Sequence, residues 1–551
     1  MVMNPPDEAS AAWAALAAHR DNLAGTHLRE LVGDADRIGL LTVEVADLRL
    51  DLSRQPLTAT TVDLLVDLAT ERKVDRFVER MLSGEPVNSS EDRPALHTAL
   101  RAPRDTTIEV DGADVVAAVH ENLERMAYLA RRIRSGEMVG ATGAPIDSVV
   151  ALGVGGSHLG SAMVSEALAD LAHPEVELRF SSNLDGTDLV DALRGLDPVS
   201  TLVVVSSKSF TTAETLVAAA GARAWLTDGV GSDGVGRHLV AVTGAPDRAG
   251  QWGVDPEMIF PVPQWVGGRF SLASAMGLAL MVSIGPESFG ELLGGMRAVD
   301  EHLAGTPFAA NGPVMLGLLD VWHRSFLGAG SLAVVPYSSR LARFPSFLQQ
   351  LMMESLGKRV TAEGSPVGVP TGGVVWGAPG TDGQHALFQY LHQGTGAVPC
   401  DLIGFIRPGH APGGAHHDML IANLLAQAEA LAVGHTPEEA EAEGTPPELV
   451  PHHTMPGNRP STVILAPELS PSVLGQLIAL YEHRTVVAAA LWGINPFDQW
   501  GVDLGKTLAR HFGRWMEAEP AGDGTPNPGA RDGSISDLIG YYRRLRDRGD
   551  G

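Results

Sequence analysis

Ser148-Val-Val-Ala-Leu-Gly-Val-Gly-Gly-Ser157 is a short apolar run that gives way to glycines and a serine, with a helical pattern following from about His158 to Leu171. A run of this length, punctuated by glycine, reads as a buried strand, and the glycine turn delivers the chain into a helix. The same unit recurs downstream. Val176-Glu-Leu-Arg-Phe180, Leu202-Val-Val-Val-Ser206 and His238-Leu-Val-Ala-Val-Thr243 are further short strands, the second leading into a helix that starts near Thr212. Strands alternating with helices at this spacing predict a parallel sheet covered on both faces.

A second series begins after Gly328 with Ser331-Leu-Ala-Val-Val-Pro336. It continues through a helix at 341–358, Gly373-Val-Val-Trp376, a helix from Ala386 to His392, Cys400-Asp-Leu-Ile-Gly-Phe-Ile406 and Thr462-Val-Ile-Leu-Ala466. Before position 118 the stripes are helical, as in Val62, Leu65, Leu68 and then Val74, Phe77, Met81. The expected fold is α/β. A helical N-terminal region, 1–118, packs on the second of two α/β lobes, 119–285 and 286–510, and a C-terminal tail or arm spans 511–551, with a final helix near 535–546. The Gly- or Pro-rich stretches 229–236, 435–460 and 519–534 read as connections.

The 551 residues suffice for two or more full cores, and 44% hydrophobic content is ordinary for a soluble globular protein. A formal charge of −26 argues against nucleic acid or an anionic membrane as the main partner, so an anionic substrate has to be captured by local positive features. No run approaches the roughly 20 apolar residues of a membrane span. The amphipathic pattern around Trp13, Leu16 and Leu23 does not read as a signal peptide. The one cysteine, Cys400, excludes an internal disulfide and fits a cytoplasmic protein. Lysine occurs only at Lys73, Lys208, Lys358 and Lys506, while arginine supplies the other positive charge. Where lysine persists, a compact ammonium that can lose its proton serves where a planar guanidinium does not.

Within 341–358, Leu341, Phe344, Phe347, Leu348, Leu351 and Met352 form an apolar helical stripe, with Gln350 and Glu354 at its edge and Gly357 as a stop. Burial and an unfavourable helix dipole would make Glu354 a general base poised near neutrality. An i,i+4 pair with Lys358 is the ordinary alternative. Gly153-Val-Gly-Gly-Ser157 opens a helix, so its amides and the Ser157 hydroxyl can hold an anion; His158 stands where a dinucleotide fingerprint needs its third glycine. Ser206-Ser-Lys-Ser-Phe-Thr-Thr212 is a second such loop, holding the rare Lys208, and Ser207, Ser209 and Thr212 can converge with Ser157 on one phosphate. Helix capping, including a box from Thr211 to Glu214, is the competing explanation.

Gln264-Trp-Val-Gly-Gly-Arg-Phe-Ser271 places Arg269 after paired glycines, where it can clamp a developing oxyanion or form a structural ion pair. Gly380-Thr-Asp-Gly-Gln-His385 delivers His385 to a helix start. His385, Gln389 and His392 share a face, and His416-His417 and His452-His453 are paired, yet none has a second ligand at a strong metal spacing, so no metal or cofactor is expected. Phe497-Asp-Gln-Trp-Gly-Val-Asp-Leu-Gly-Lys506 puts Gln499, Asp503 and Lys506 on one helical face, which a solvated charged surface also explains.

Side by side, Gly153–Gly160, Ser207–Thr215, Val266–Leu278, Gln349–Lys358, Gly377–Thr395 and Asn495–Lys506 resemble the phosphoglucose isomerase family, in the family's order. The resemblance implies two sugar-isomerase (SIS) domains, each a three-layer α/β/α sandwich, and reversible interconversion of glucose 6-phosphate and fructose 6-phosphate in glycolysis and gluconeogenesis, without metal. On it, Glu354 is the base that moves a proton between C2 and C1 through a cis-enediol, and Arg269 stabilises the enediolate. His385 and Lys506 open the ring. Ser157, Ser207, Ser209 and Thr212 form the phosphate pocket, and Gly156, Lys208, Gly268, Gln350 and Gln499 bind substrate. The histidine comes from the other subunit, so a homodimer with shared sites is implied. The family usually has Thr where Ser209 stands, Asn at Asp382 and Leu356, Ser at Pro496 and Pro at Ser161. These departures bear on substrate preference and rate, so an isomerase for another sugar phosphate and a sugar-phosphate-binding regulator are the alternatives.

Overall fold

The computed structural model describes residues 10–409, 412–517 and 533–549. The chain forms two units, Met1–Phe497 and Asp498–Gly551.

In the first unit, the strands expected after position 148 form one sheet in the spatial order Glu177–Ser181, Ser148–Leu152, Thr201–Ser206, Leu239–Thr243, Ile259–Pro261. Every neighbouring pair is parallel, with Val149 opposite both Leu178 and Leu202. Successive residues face different layers. Val149, Leu202, Val204 and Val240 join the large core shared with the rest of the unit. Val150, Val203, Val205 and Leu239 pack against Ala219, Ala222 and Leu226 of the helix Ala213–Val230. Both faces are thus covered, and the continuous apolar runs follow from that.

The second sheet runs Thr42–Val45, Leu48–Asp51, Ser461–Ala466, Cys400–Phe405, Ser331–Pro336, Val374–Trp376. Its last four strands are parallel, as expected. The first two are not. Part of the N-terminal region expected to be helical is an antiparallel hairpin that pairs with Ser461–Ala466, Leu50 lying opposite Ile464, so this sheet is mixed. Val43, Val45, Leu48 and Leu50 are buried while Glu44 and Arg49 are exposed, a period-two alternation too short to stand out among helical stripes. Here too the faces divide: Val334, Ile403 and Ile464 enter the shared core, and Val335, Leu402 and Val463 pack under Leu424, Ala428 and Leu431 of the helix Ala415–Val433. Cys400 is buried in that outer layer, which pushes its thiol pKa up.

The shared core is crossed by the helix Pro471–Trp492, buried along nearly its whole length between Pro286–Gly305 and Gly312–Val321. Gly295 and Gly475 make the approach possible, because a Cβ on either would overlap the backbone of the facing helix. This helix carries charges inward, and each is paired, as burial demands. Arg484 forks onto Asp320 and also meets Asp401, which in turn accepts from Tyr481. Glu482 meets Arg101, and His483 meets Asp300.

The second unit contains the helices Asp503–Glu517 and Gly533–Gly549, with Arg546 Nη1 donating to the Met516 carbonyl at 3.2 Å. No helix among the described residues is long and apolar enough to cross a membrane.

Candidate active site

Two loops follow neighbouring strands of the first sheet and open helices. Gly153 brings them together: a Cβ there would stand 2.9 Å from the Ser157 side chain and 3.2 Å from the Ser206 carbonyl oxygen. The helix Leu159–Ala167 begins at His158 and the helix Ala213–Val230 at Thr212, and at neither does the capping residue's side chain bond the helix amides. The Thr212 hydroxyl instead meets Ser207 Oγ at 2.9 Å, and Ser209 Oγ meets Thr211 at 2.7 Å. Side-chain capping at Thr212 is therefore not what these hydroxyls do. The amides at the two helix starts remain available to an anion, beside hydroxyls that can donate to it.

Lys208 donates to the carbonyls of Gln264 at 2.9 Å and Val266 at 2.8 Å, tying this loop to the one that carries Arg269. Burial, with Arg93 adding to it and Glu91 opposing, lowers its pKa to about 8. Two of its three ammonium donors are committed to that anchoring. A second junction joins Gly156 to Gly268, where a Cβ on Gly156 would overlap the Gly268 carbonyl, and Ser271 Oγ bonds the Gly268 carbonyl at 2.6 Å. Gln350 completes it: its Nε2 lies 2.9 Å from where a Cβ on Gly155 would be, and Gly155 has φ +56°.

Arg269 is buried at the meeting point of these segments. Its Nε donates to Ser355 Oγ at 2.7 Å, its Nη2 to the Pro496 carbonyl, and its Nη1 lies 3.1 Å from Glu354 Oε2. Arg269 is thus an ion-pair partner of Glu354. The carrier segment also differs from the single helix expected. Phe344–Leu348 is α-helical, Gln349–Met353 is a π turn and Glu354–Leu356 a further short turn. A π turn inserts an extra residue, which shifts the phase of Glu354 relative to Phe347, and such turns concentrate at functional sites. The Glu354 side chain keeps 21% of its exposure while Arg269 keeps 1%, so the carboxylate is the accessible member of the pair.

Ser355 is a site group the sequence reading did not single out, and Pro496 entered it only as a departure from the family's pattern. Ser355 is fully buried and donates to Leu351 O at 2.6 Å while accepting from Arg269. A small polar residue next to Glu354 and inside an apolar stripe was the available signal.

His385 begins the helix Gln384–Gln393 and lines a cavity of about 910 Å³ with Tyr337, Arg340, Thr381, His416 and His417. Neither Glu354, Arg269 nor Ser157 lines that cavity. His392 meets Gln427 at 2.9 Å and His417 meets the carbonyls of Phe405 and Ile406 at 2.9 and 3.0 Å. Gln499 and Lys506 belong to the second unit, where Lys506 Nζ lies 3.7 Å from Asp503 Oδ1. Gln499 precedes the helix Asp503–Glu517, so it does not share a helical face with Lys506.

The family model described as phosphoglucose isomerase matches residues 51–524. The chain belongs to the phosphoglucose isomerase family. It is 50% identical over 548 residues to a glucose-6-phosphate isomerase of Rhodococcus opacus (strain B4), covering 98% of both chains, and 51% identical over 546 residues to one of Anaeromyxobacter dehalogenans (strain 2CP-C), again with 98% of both covered. A solved glucose-6-phosphate isomerase from Chlamydia trachomatis superposes with a TM-score of 0.85 at 32% identity, covering 97% of this chain and 99% of the other. The likeness to that structure takes in the residues of both sheets of this chain.

Proposed function

We propose that this chain interconverts glucose 6-phosphate and fructose 6-phosphate as a metal-independent homodimer in the cytoplasm. The observation that carries the reading is the accessible Glu354 carboxylate held 3.1 Å from a buried, multiply anchored arginine, beside two helix starts lined with hydroxyls. A phosphate at Ser157, Ser207, Ser209 and Thr212 would orient the open-chain sugar, with Gln350 and the Gly268 backbone along its hydroxyls. The Glu354 carboxylate takes the proton from C2 of the aldose, the C–H electrons form the C1=C2 bond of a cis-enediol, and negative charge develops on oxygen. Arg269 stabilises that charge, because a fixed cation in a water-poor site needs no reorganisation as the charge grows. The proton returns to C1, while O1 gains a proton and O2 loses one, giving the ketose. Lys506 and a partner's copy of His385 form the acid/base pair for ring opening, consistent with His385 lying in a cavity that Glu354 does not line.

The test is proton exchange. Incubating fructose 6-phosphate with the full chain in deuterated water should place deuterium at C2 of the product aldose. The Glu354→Gln variant should still bind substrate and lose roughly 100- to 10,000-fold in turnover, the range for removing a general base. Absence of both exchange and isomerisation in the unmodified chain would end this reading.

A further inference from the structure

Behind Arg269 lies a residue the reaction does not use directly. His97 is 1% exposed, and its ring centroid stands 4.7 Å from that of Phe270, 6.4 Å from Phe497 and 5.8 Å from His483. Phe270 follows Arg269, whose guanidinium carbon is 5.6 Å from the Phe270 ring. Phe497 follows Pro496, whose carbonyl accepts from Arg269 Nη2. The imidazole therefore backs the neighbours of both Arg269 and one of its anchors, with the two phenyl rings 5.8 Å apart.

On its other side His97 faces His483, which belongs to a charged cluster. His97 and Arg101 share the short turn His97–Arg101. Arg101 forks onto Asp300 with both contacts at 2.7 Å and reaches Glu482 at 2.8 Å, while His483 Nε2 meets Asp300 at 2.6 Å. Neither His97 Nε2 nor His483 Nδ1 has a hydrogen-bond partner among the described residues. Burial, with Arg101 and His483 adding to it, pushes the pKa of His97 well below the ordinary value, so the ring is neutral and places no second cation behind Arg269.

We propose that His97 is a positioning residue for Arg269: its ring, packed between Phe270 and the His483 that Asp300 holds, sets the plane of Phe270 and so the place of the guanidinium beside Glu354. This rests on the roles given above to Arg269 and Glu354. A cation displaced from the position where charge develops loses transition-state stabilisation while ground-state contacts to the phosphate stay intact. An imidazole that only filled space would affect stability and leave the chemical step alone.

Four variants of the full chain separate these cases: His97→Asn, which stays polar and lacks the stacking ring; His97→Phe, which keeps a ring; His97→Ala; and Arg269→Lys. Each is read by kcat, KM, thermal midpoint, affinity for inorganic phosphate, and affinity for 5-phosphoarabinonate, whose carboxylate mimics the enediolate. His97→Asn and His97→Ala should lose about 10- to 100-fold in kcat, the cost of a small misplacement, with KM within about threefold. Affinity for 5-phosphoarabinonate should fall in parallel, phosphate affinity should hold, and His97→Phe should recover most of the loss. If His97→Ala does not fold, the Asn and Phe variants decide. A lower midpoint with unchanged kcat and unchanged 5-phosphoarabinonate affinity in His97→Asn overturns the proposal. If Arg269→Lys also leaves both unchanged, the parent reading fails with it; if Arg269→Lys lowers both and His97→Asn lowers neither, only the role of His97 is lost.

Discussion

Replacing Ser355 with alanine removes one oxygen from a fully buried position and leaves two groups behind it without their partner there. Arg269 Nε loses its acceptor at 2.7 Å, and Leu351 O loses a donor at 2.6 Å. A hydrogen bond to a charged group contributes about 1.5 to 3 kcal/mol, and a buried donor left unpaired costs about as much as the bond. The expected fall in unfolding free energy is therefore about 2 to 3 kcal/mol, before any relaxation of the π turn. The catalytic effect is separate. Arg269 would keep its contacts with Glu354 and the Pro496 carbonyl but lose the bond that fixes its Nε edge, so the guanidinium can pivot. If pivoting costs about 1.4 kcal/mol of transition-state stabilisation, kcat falls about tenfold, with KM nearly unchanged because the phosphate loops are untouched. Urea unfolding followed by circular dichroism reads the first quantity and a coupled isomerase assay reads the second. A chain destabilised by the expected amount whose kcat stays within twofold of the original would show that Ser355 does not hold Arg269 in its working position.

Two further outcomes follow from the loops. Gly156→Ala should raise KM about tenfold or more, because a Cβ there overlaps the Gly268 carbonyl and must part the phosphate loop from the Arg269 loop; steady-state kinetics on fructose 6-phosphate checks it. Lys208 has a folded pKa of about 8, lowered from 10.5, so between those values the unfolded chain binds more protons than the folded one and stability rises with pH. Denaturant titrations from pH 7.5 to about 10.5 should show that rise in the original chain and a shallower slope in Lys208→Met; equal slopes would contradict the assignment.

How far the fold was legible depended on burial. Strands buried on both faces, such as Ser148–Leu152 and Thr201–Ser206, are short continuous apolar runs, and their ends fall within one residue of the reading. The hairpin Thr42–Val45 and Leu48–Asp51 was not legible, because four residues with alternating faces give too brief a signal, and its pairing partner, Ser461–Ala466, lies far along the chain. The break in the helix carrying Glu354 was hidden for a related reason. A stripe spaced at three and four residues is compatible with one α-helix, and nothing in the spacing marks where a wider turn inserts a residue.

The site residues were legible as types and illegible as contacts. Arginine after paired glycines and a carboxylate at a stripe's edge each had an ordinary alternative, and what separates the readings is an approach between segments 86 residues apart at Ser355 and 227 apart at Pro496. The rare lysine shows what such an approach requires. Two backbone carbonyls on one loop, Gln264 and Val266, are both met by Lys208 Nζ, which a compact ammonium achieves from a single atom and a planar fork does not. That bond joins the loop bearing Ser207, Ser209 and Thr212 to the loop bearing Arg269. On the proposed reading, a phosphate settling on the first loop pulls on the second through two hydrogen bonds. The part of the sugar remote from the reacting carbons would in this way contribute to holding Arg269 at the place proposed for the enediolate.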